Sequence, residues 1–397
     1  MAEVPEIDLT DSEVLSDPFA AYGRVRERSP VARLVAPGAG PMWAVLRYED
    51  ARAMLGDPRF ELSAASFQRP DVPEDCLPYL RTMQEMEGAE HRRLRGLVSP
   101  AFTPARAAGF RSRVESIVRN SLDELPGQVE GGSVDLLRHF ARPLPMDVIC
   151  ELVGIPGENR ARWREYGAAV AAGWGAKFAD AIPGIMAGAK EAVARRRAEP
   201  ADDLLSDLLR VQAEDGDRLG DDELVTLVWQ LVLAGQTPTN LIANAMLTLL
   251  SHPAQLAALR ADPGLVPGAV EELTRWCGPQ LLTIPRFPNE EVEIGGVPIR
   301  KGEPVTAAIV SANRDPRVFT DPDRLDVGRG PGTPGHLGYA YGPHFCLAAA
   351  FARVQTEVAL TALAHRFPEL ALAVAPAETP RVPDPGTWRV AALPVTL

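Results

Sequence analysis

Lysine is almost missing from this chain: only Lys177, Lys190 and Lys301 occur in 397 residues. Arginine, alanine, glycine and proline are plentiful instead, which reads as GC-rich coding of a bacterial kind and says nothing of chemistry. Positive charge is also short, with 41 Lys and Arg against 53 Asp and Glu and a net charge of −12. That balance argues against a nucleic-acid partner, which needs a basic footprint. It argues equally against attraction to an anionic membrane. Cysteine is sparse, at Cys76, Cys150, Cys277 and Cys346. The four lie far apart, with no C-x-x-C and no C-x-x-C-H for covalent haem attachment. The first residues, "MAEVPEIDLTDSEV", are acidic and polar, unlike a signal peptide or an anchor. A reducing, cytoplasmic setting without disulfides is expected.

Apolar residues make up 46% of the chain, enough for a large core, and charged residues 24%. Helical periodicity dominates. "DPFAAYGRVRERS" predicts a helix with Asp17 as N-cap and Pro18 in its first turn. "MWAVLRY" predicts a strand and "YEDARAMLGD" a helix after it. Residues 60–88 hold several prolines and little periodicity, and read as loop. Several helices fill 90–235. "EVEIGGVPIRKGEPVTAAIV" predicts a hairpin with turns at Gly295-Gly296 and Lys301-Gly302, and "TWRVAALPVTL" reads as β. There is no repeat, low-complexity run or evident linker. The expectation is one large, mainly α domain over 1–397, with small β-sheets and a long central buried helix.

That helix rests on a charge-free stretch. Between Glu223 and Arg260 there is no Asp, Glu, Lys or Arg. The length would suit a membrane span, but "QTPTN" interrupts it, so a helix buried in protein is expected. Pro238 sits inside it. Proline supplies no N–H and clashes with the carbonyl four residues back, here that of Ala234, so the helix should open there.

"GYAYGPHFCLAAAFAR" places Cys346 at the start of a helix, since Leu347, Ala350, Phe351, Val354 and Val358 follow helical spacing. A thiol at a helix N-terminus is favoured as its anion. The loop from Tyr339 to Ala348 resembles the cysteine-ligand loop of the cytochrome P-450 superfamily, F-G-x-G-x-H/R-x-C-x-G followed by a helix. It keeps Gly342, His344 and Cys346 and departs at Tyr339, Ala340 and Ala348. Three further stretches resemble family motifs in the family's order. "VEELTRW" carries Glu272-x-x-Arg275, a spacing that lets the charges meet on one helix face. "ANRDPRVFTDPDRLD" resembles the segment that completes this buried pair, which would make Arg324 its third member. "EHRRLRGLVSPAFT" resembles the helix that binds a haem propionate, with His91 and Arg95. Arg286 matches the arginine for the other propionate.

The resemblance implies haem b on a Cys346 thiolate, with His91, Arg95, Arg286, Gly342 and His344 also binding the cofactor. It implies insertion of one oxygen atom from dioxygen into a small organic substrate, as a tailoring step of bacterial secondary metabolism. No flavin or iron–sulfur segment accompanies the loop, so a separate ferredoxin and ferredoxin reductase are expected, with Arg92 and Arg93 as a docking patch. The family pattern in the central helix, A/G-G-x-D/E-T, meets "LAGQTPTNLI" in two registers. One places Thr237 at the acid and Pro238 at the threonine. The other, preferred because it keeps a hydroxyl near oxygen, places Gln236 at the acid and Thr237 at the threonine. Neither supplies a carboxylate, so Thr237 and Gln236 are the candidate catalytic residues. Candidate substrate-lining residues are Ala234, Thr283, Ile284 and Trp388, with the region of Trp174 and Phe178. Oxidative coupling of phenols or indoles, and a non-catalytic haem sensor, stay open as alternatives.

Overall fold

A computed structural model describes residues 4–67, 69–171, 175–215, 219–330 and 335–397, with the side chains of Ala39, Asp215 and Gln236 outside that description. The fold is mainly α with small β-sheets, as expected. The chain forms two compact units, one of Met1–Phe67, Asn244–Ala349 and Ala375–Ala391, the other of Gln68–Ala243, Ala350–Val374 and Ala392–Leu397.

In the first unit a four-stranded sheet runs in the order Glu6–Asp8, Val31–Ala36, Ala39–Val45, Val305–Ala307. The inner pair is antiparallel and the outer pairs are parallel. Side chains alternate across it, as a period of two requires. Val31, Trp43, Val45 and Val305 enter one core with Tyr48, Leu55 and Phe319. Ala32, Leu34 and Ala44 enter another with Tyr22, Val25 and Val310. Burial on both faces explains why Val31–Ala36 lacks a clean apolar–polar alternation. The Pro18–Arg28 helix starts as predicted, with the Asp17 carboxylate accepting the Ala20 N–H at 3.1 Å. The hairpin of Val292–Ile294 and Val297–Ile299 turns at Gly295 and Gly296, with φ of 57° and 81°. Two positive φ values are what a two-residue hairpin turn of this hand demands. Gly302, φ 78°, then redirects the chain, so Val305–Ala307 pairs with Trp43–Val45 rather than extending the hairpin.

The second unit is a helical assembly with one small antiparallel sheet of Ala371–Leu372, Pro394–Thr396 and Val134–Asp135. Its Pro104–Glu124 helix is capped by Thr103, whose hydroxyl accepts the Arg106 N–H at 3.3 Å. Phe351 packs edge-on against Phe102 and Phe110 at 6.0 and 5.9 Å. Within 69–87 the only regular pieces among the described residues are the tight turns Glu74–Tyr79 and Met83–Glu85. A lysine stands over an aromatic ring there, Lys190 at 4.5 Å from the Tyr79 centroid.

The charge-free segment corrects one expectation. It is three helices, Asp221–Ala234, Gln236–Ser251 and Pro253–Ala261, not one. Pro238 leaves the Ala234 carbonyl without an N–H four residues on, and the first helix ends at that residue. The Thr239 hydroxyl donates to the Gly235 carbonyl at 3.3 Å. Ala234 is exposed and Thr237 half-buried, so the segment is not buried on every side at its opening. No helix among the described residues is long and apolar enough to cross a membrane.

Candidate functional site

The loop before the Ala349–Arg366 helix folds back on itself. The Ala340 N–H donates to Leu337 O at 2.9 Å, Phe345 N–H to Gly342 O at 3.0 Å, and Cys346 N–H to Tyr339 O at 2.9 Å. The Cys346 carbonyl then receives the Ala349 N–H at 3.4 Å. Cys346 thus stands three residues ahead of the helix rather than in its first turn. Gly342 has φ 75°, and a Cβ there would lie 2.8 Å from Leu55 O and 2.9 Å from Gly56 Cα. Only glycine meets both constraints. Ala340 occupies one of the family's glycine positions at φ 60°, a left-handed conformation costing a side-chain-bearing residue about 1–2 kcal/mol.

Cys346 differs from the other cysteines in accessibility. It is half-exposed, whereas Cys76, Cys150 and Cys277 are buried. Burial pushes the Cys150 thiol up to about 12 and the Cys277 thiol up to about 11. Neither is a thiolate at neutral pH. Phe345 and Tyr341 flank the loop in the open, at 38% and 39% exposure. Arg52 holds Tyr341 by a 3.2 Å hydrogen bond to its hydroxyl and by lying 4.6 Å from its ring centroid.

Arg286 is buried. Its Nη1 donates to Leu55 O at 2.9 Å, the same carbonyl that bars a side chain from Gly342. Leu55 therefore links a buried guanidinium to the ligand loop. Its role is carried by the main chain, so no side-chain motif announces it. His344 is half-buried, two residues before the thiol.

Glu272 and Arg275 meet on the Val266–Cys277 helix in a bidentate pair of 2.7 and 2.8 Å, both buried. Arg275 Nη1 also donates to the carbonyls of Asn313 and Pro322, each at 2.8 Å. Glu272 also accepts the Asp326 N–H at 3.0 Å. The third member is Arg329, with Nε 3.1 Å from Glu272 Oε2, and not Arg324. The Arg324 side chain is 68% exposed and pairs with Asp326 at 3.1 Å. Both arginines lie in one irregular segment, where spacing gives no period from which to choose between them. Asn313, whose Oδ1 accepts the Leu337 N–H at 2.8 Å, joins this network to the ligand loop and was also missed.

In the second unit, His91 and Arg95 share one face of the Gly88–Val98 helix; His91 is buried and Arg95 half-buried. Arg93 pairs with Glu223, which raises its pKa, so only Arg92 of the expected docking pair remains exposed and uncommitted to that contact. Thr237 and Gln236 both lie in the first turn of Gln236–Ser251.

The expected substrate-lining residues fall in different settings. Ala234 and Ile284 are exposed. Thr283 uses its hydroxyl on the sheet, accepting the Ala307 N–H at 2.9 Å beside Thr306. The Trp388 ring is held between Phe19, 5.5 Å away, and Arg381, 3.8 Å away. Phe178 is buried near Trp229, and Trp174 lies outside the described residues.

A haem with one protein ligand needs one accessible soft donor and cations for its carboxylates. The first unit supplies an accessible thiol, a buried arginine tied to the same loop, and an adjacent histidine, so the donor set fits that group. The comparisons agree. A family model for Cytochrome P-450 matches residues 176–387. The chain is 38% identical to Cytochrome P-450 monooxygenase PikC of Streptomyces venezuelae over 398 residues, covering 99% of this chain and 95% of that protein. It is 40% identical to Mycinamicin IV hydroxylase/epoxidase of Micromonospora griseorubida, covering 89% of each. Among solved structures, the Bacillus subtilis bacillaene polyketide synthase cytochrome P-450 PksS superposes with a TM-score of 0.88 at 32% identity, covering 98% of this chain and 99% of that one. With the fold, the loop and these likenesses in agreement, the chain belongs to the cytochrome P-450 family, monooxygenases that carry haem on a cysteine thiolate.

Proposed function

We propose that Cys346 Sγ would hold haem b as its thiolate ligand and that the enzyme oxidises a small organic metabolite in a tailoring step of bacterial secondary metabolism. The observation that carries this reading is the folded-back loop, which leaves Cys346 as the one accessible thiol of four. The names of the mycinamicin hydroxylase/epoxidase and of the polyketide synthase enzyme support the substrate class. Residues 1–397 are read as one haem-thiolate domain, because each compact unit is assembled from three separated stretches of chain.

His91, Arg95, Arg286 and His344 are assigned to the two propionates, where positive donors offset carboxylate charge. When bound, the haem with its thiolate supplies dioxygen activation and oxygen insertion. The chain's own contribution at the opening of the central helix is proton handling. Thr237 Oγ1 can accept a proton from water and donate its own, and we assign it that relay. Gln236 carries a carboxamide, which orients water but is no acid at neutral pH. Glu272, Arg275 and Arg329 keep the ligand loop folded. Electrons are assigned to a separate ferredoxin and ferredoxin reductase.

The test is turnover under isotopically heavy dioxygen with a ferredoxin system, using compounds that shift the haem spin state on binding. The expected product gains one heavy oxygen atom. A product that has lost two hydrogens and gained no oxygen would replace this reading with oxidative coupling. Spin shifts without any turnover would replace it with a sensor.

A further inference from the structure

Two neighbouring carboxylates on the Val266–Cys277 helix have different partners. Glu272 serves Arg275 and Arg329, as described above. Glu271 reaches His336, whose Nε2 lies 3.3 Å from Glu271 Oε2, within ion-pair range though too oblique for a hydrogen bond. The His336 side chain is only 4% exposed. Its Nδ1 accepts the Gly338 N–H at 3.0 Å, while Nε2 faces Glu271. The imidazole packs at 5.4 Å against Tyr339, and the Tyr339 ring packs at 6.3 Å against Phe345, the residue before Cys346. The Tyr339 carbonyl is the acceptor for Cys346 N–H. His336 therefore touches the turn that fixes the thiol's own peptide.

We infer that Glu271 and His336 form a positioning pair for the ligand loop, setting the backbone of Gly338 and Tyr339 from which Cys346 is hung. This rests on the reading of Cys346 as haem ligand. The pair does not touch the thiol, and its role is geometric: one imidazole nitrogen fastens the loop and the other faces the helix. His336→Asn and His336→Gln separate the two halves. An Asn amide oxygen replaces Nδ1 and keeps the Gly338 acceptor, while a Gln amide reaches toward Glu271 and loses that acceptor.

The experiment is amide hydrogen exchange on the haem-loaded protein, with the absorption of its reduced carbonyl complex followed over time. His336→Gln is expected to speed exchange at Gly338 and Cys346 about five- to tenfold, the effect of one lost hydrogen bond. It should also hasten conversion of the thiolate-type band to a neutral-thiol-type band. His336→Asn should restore the Gly338 protection, and Glu271→Gln should give a smaller effect of the same kind. Amides of the Pro104–Glu124 helix should not change, which distinguishes local positioning from loss of global stability. Unchanged exchange and an unchanged band in His336→Gln would overturn the inference. So would equal acceleration at every amide. If the parent protein itself shows no thiolate-type band, the ligand reading fails first, whatever the variants do.

Discussion

The ligand loop and the opening of the central helix both depart from the family's pattern, with opposite consequences. In the loop, Ala340 and Ala348 stand where the pattern has glycine. The path survives because it is set by main-chain hydrogen bonds and by Gly342 against Leu55 and Gly56. The departure leaves strain at Ala340, φ 60°, but no lost chemistry. At the opening, the acid of the pattern is replaced by Gln236 or Thr237. The shape persists through Pro238 and the Thr239 hydroxyl, yet the carboxylate that would carry a proton is gone. Shape held by the backbone tolerates substitution at the cost of strain, whereas proton delivery depends on one side chain and does not.

The largest way to break this comparison is to remove the network behind the loop. Glu272→Ala leaves the buried Arg275, and Arg329 beside it, without their carboxylate, and should lower unfolding free energy by about 3–5 kcal/mol in a denaturant titration. An unchanged midpoint would show that the loop stands without it. Gly342→Ala acts on the loop itself. A left-handed φ and a 2.8 Å approach to Leu55 O should together cost about 2–4 kcal/mol and reduce haem retention, measured as the haem-to-protein ratio after dialysis.

Thr237→Ala sharpens the comparison from the other side. It should leave the melting temperature nearly unchanged while lowering coupled turnover about tenfold, with more hydrogen peroxide released. Equal peroxide and turnover would assign proton delivery to water or substrate alone. The smallest effect is expected from Ala340→Gly. Relief of the left-handed strain, less the greater unfolded-state freedom of glycine, should raise stability by up to about 1 kcal/mol. A loss of stability would mean that the alanine methyl packs usefully and that the loop is not strained.

Much of this is legible in the sequence. The Asp17 cap and the Gly295-Gly296 turn rest on local spacing, which sequence displays directly; spacing lets Glu272 and Arg275 meet, and the family resemblance implies that they meet buried. The break at Pro238 and its place at Ala234 are visible in the sequence, but the Thr239 hydroxyl bond to the neighbouring Gly235 carbonyl is not. The choice of Arg329 over Arg324 depends on how an irregular segment folds, which no period encodes. Leu55 acts through its carbonyl, and a carbonyl has no letter in the sequence. A lone histidine outside a motif, such as His336, carries no signal in a sequence until Glu271 and Gly338 are seen around it.

The most direct measurement is the visible spectrum of the reduced, carbonylated protein beside that of Cys346→His. A thiolate-type band in the parent, replaced in the variant by one resembling an imidazole-ligated globin, is the predicted result. A globin-like band in the parent, or the same band in both proteins, would contradict ligation by Cys346.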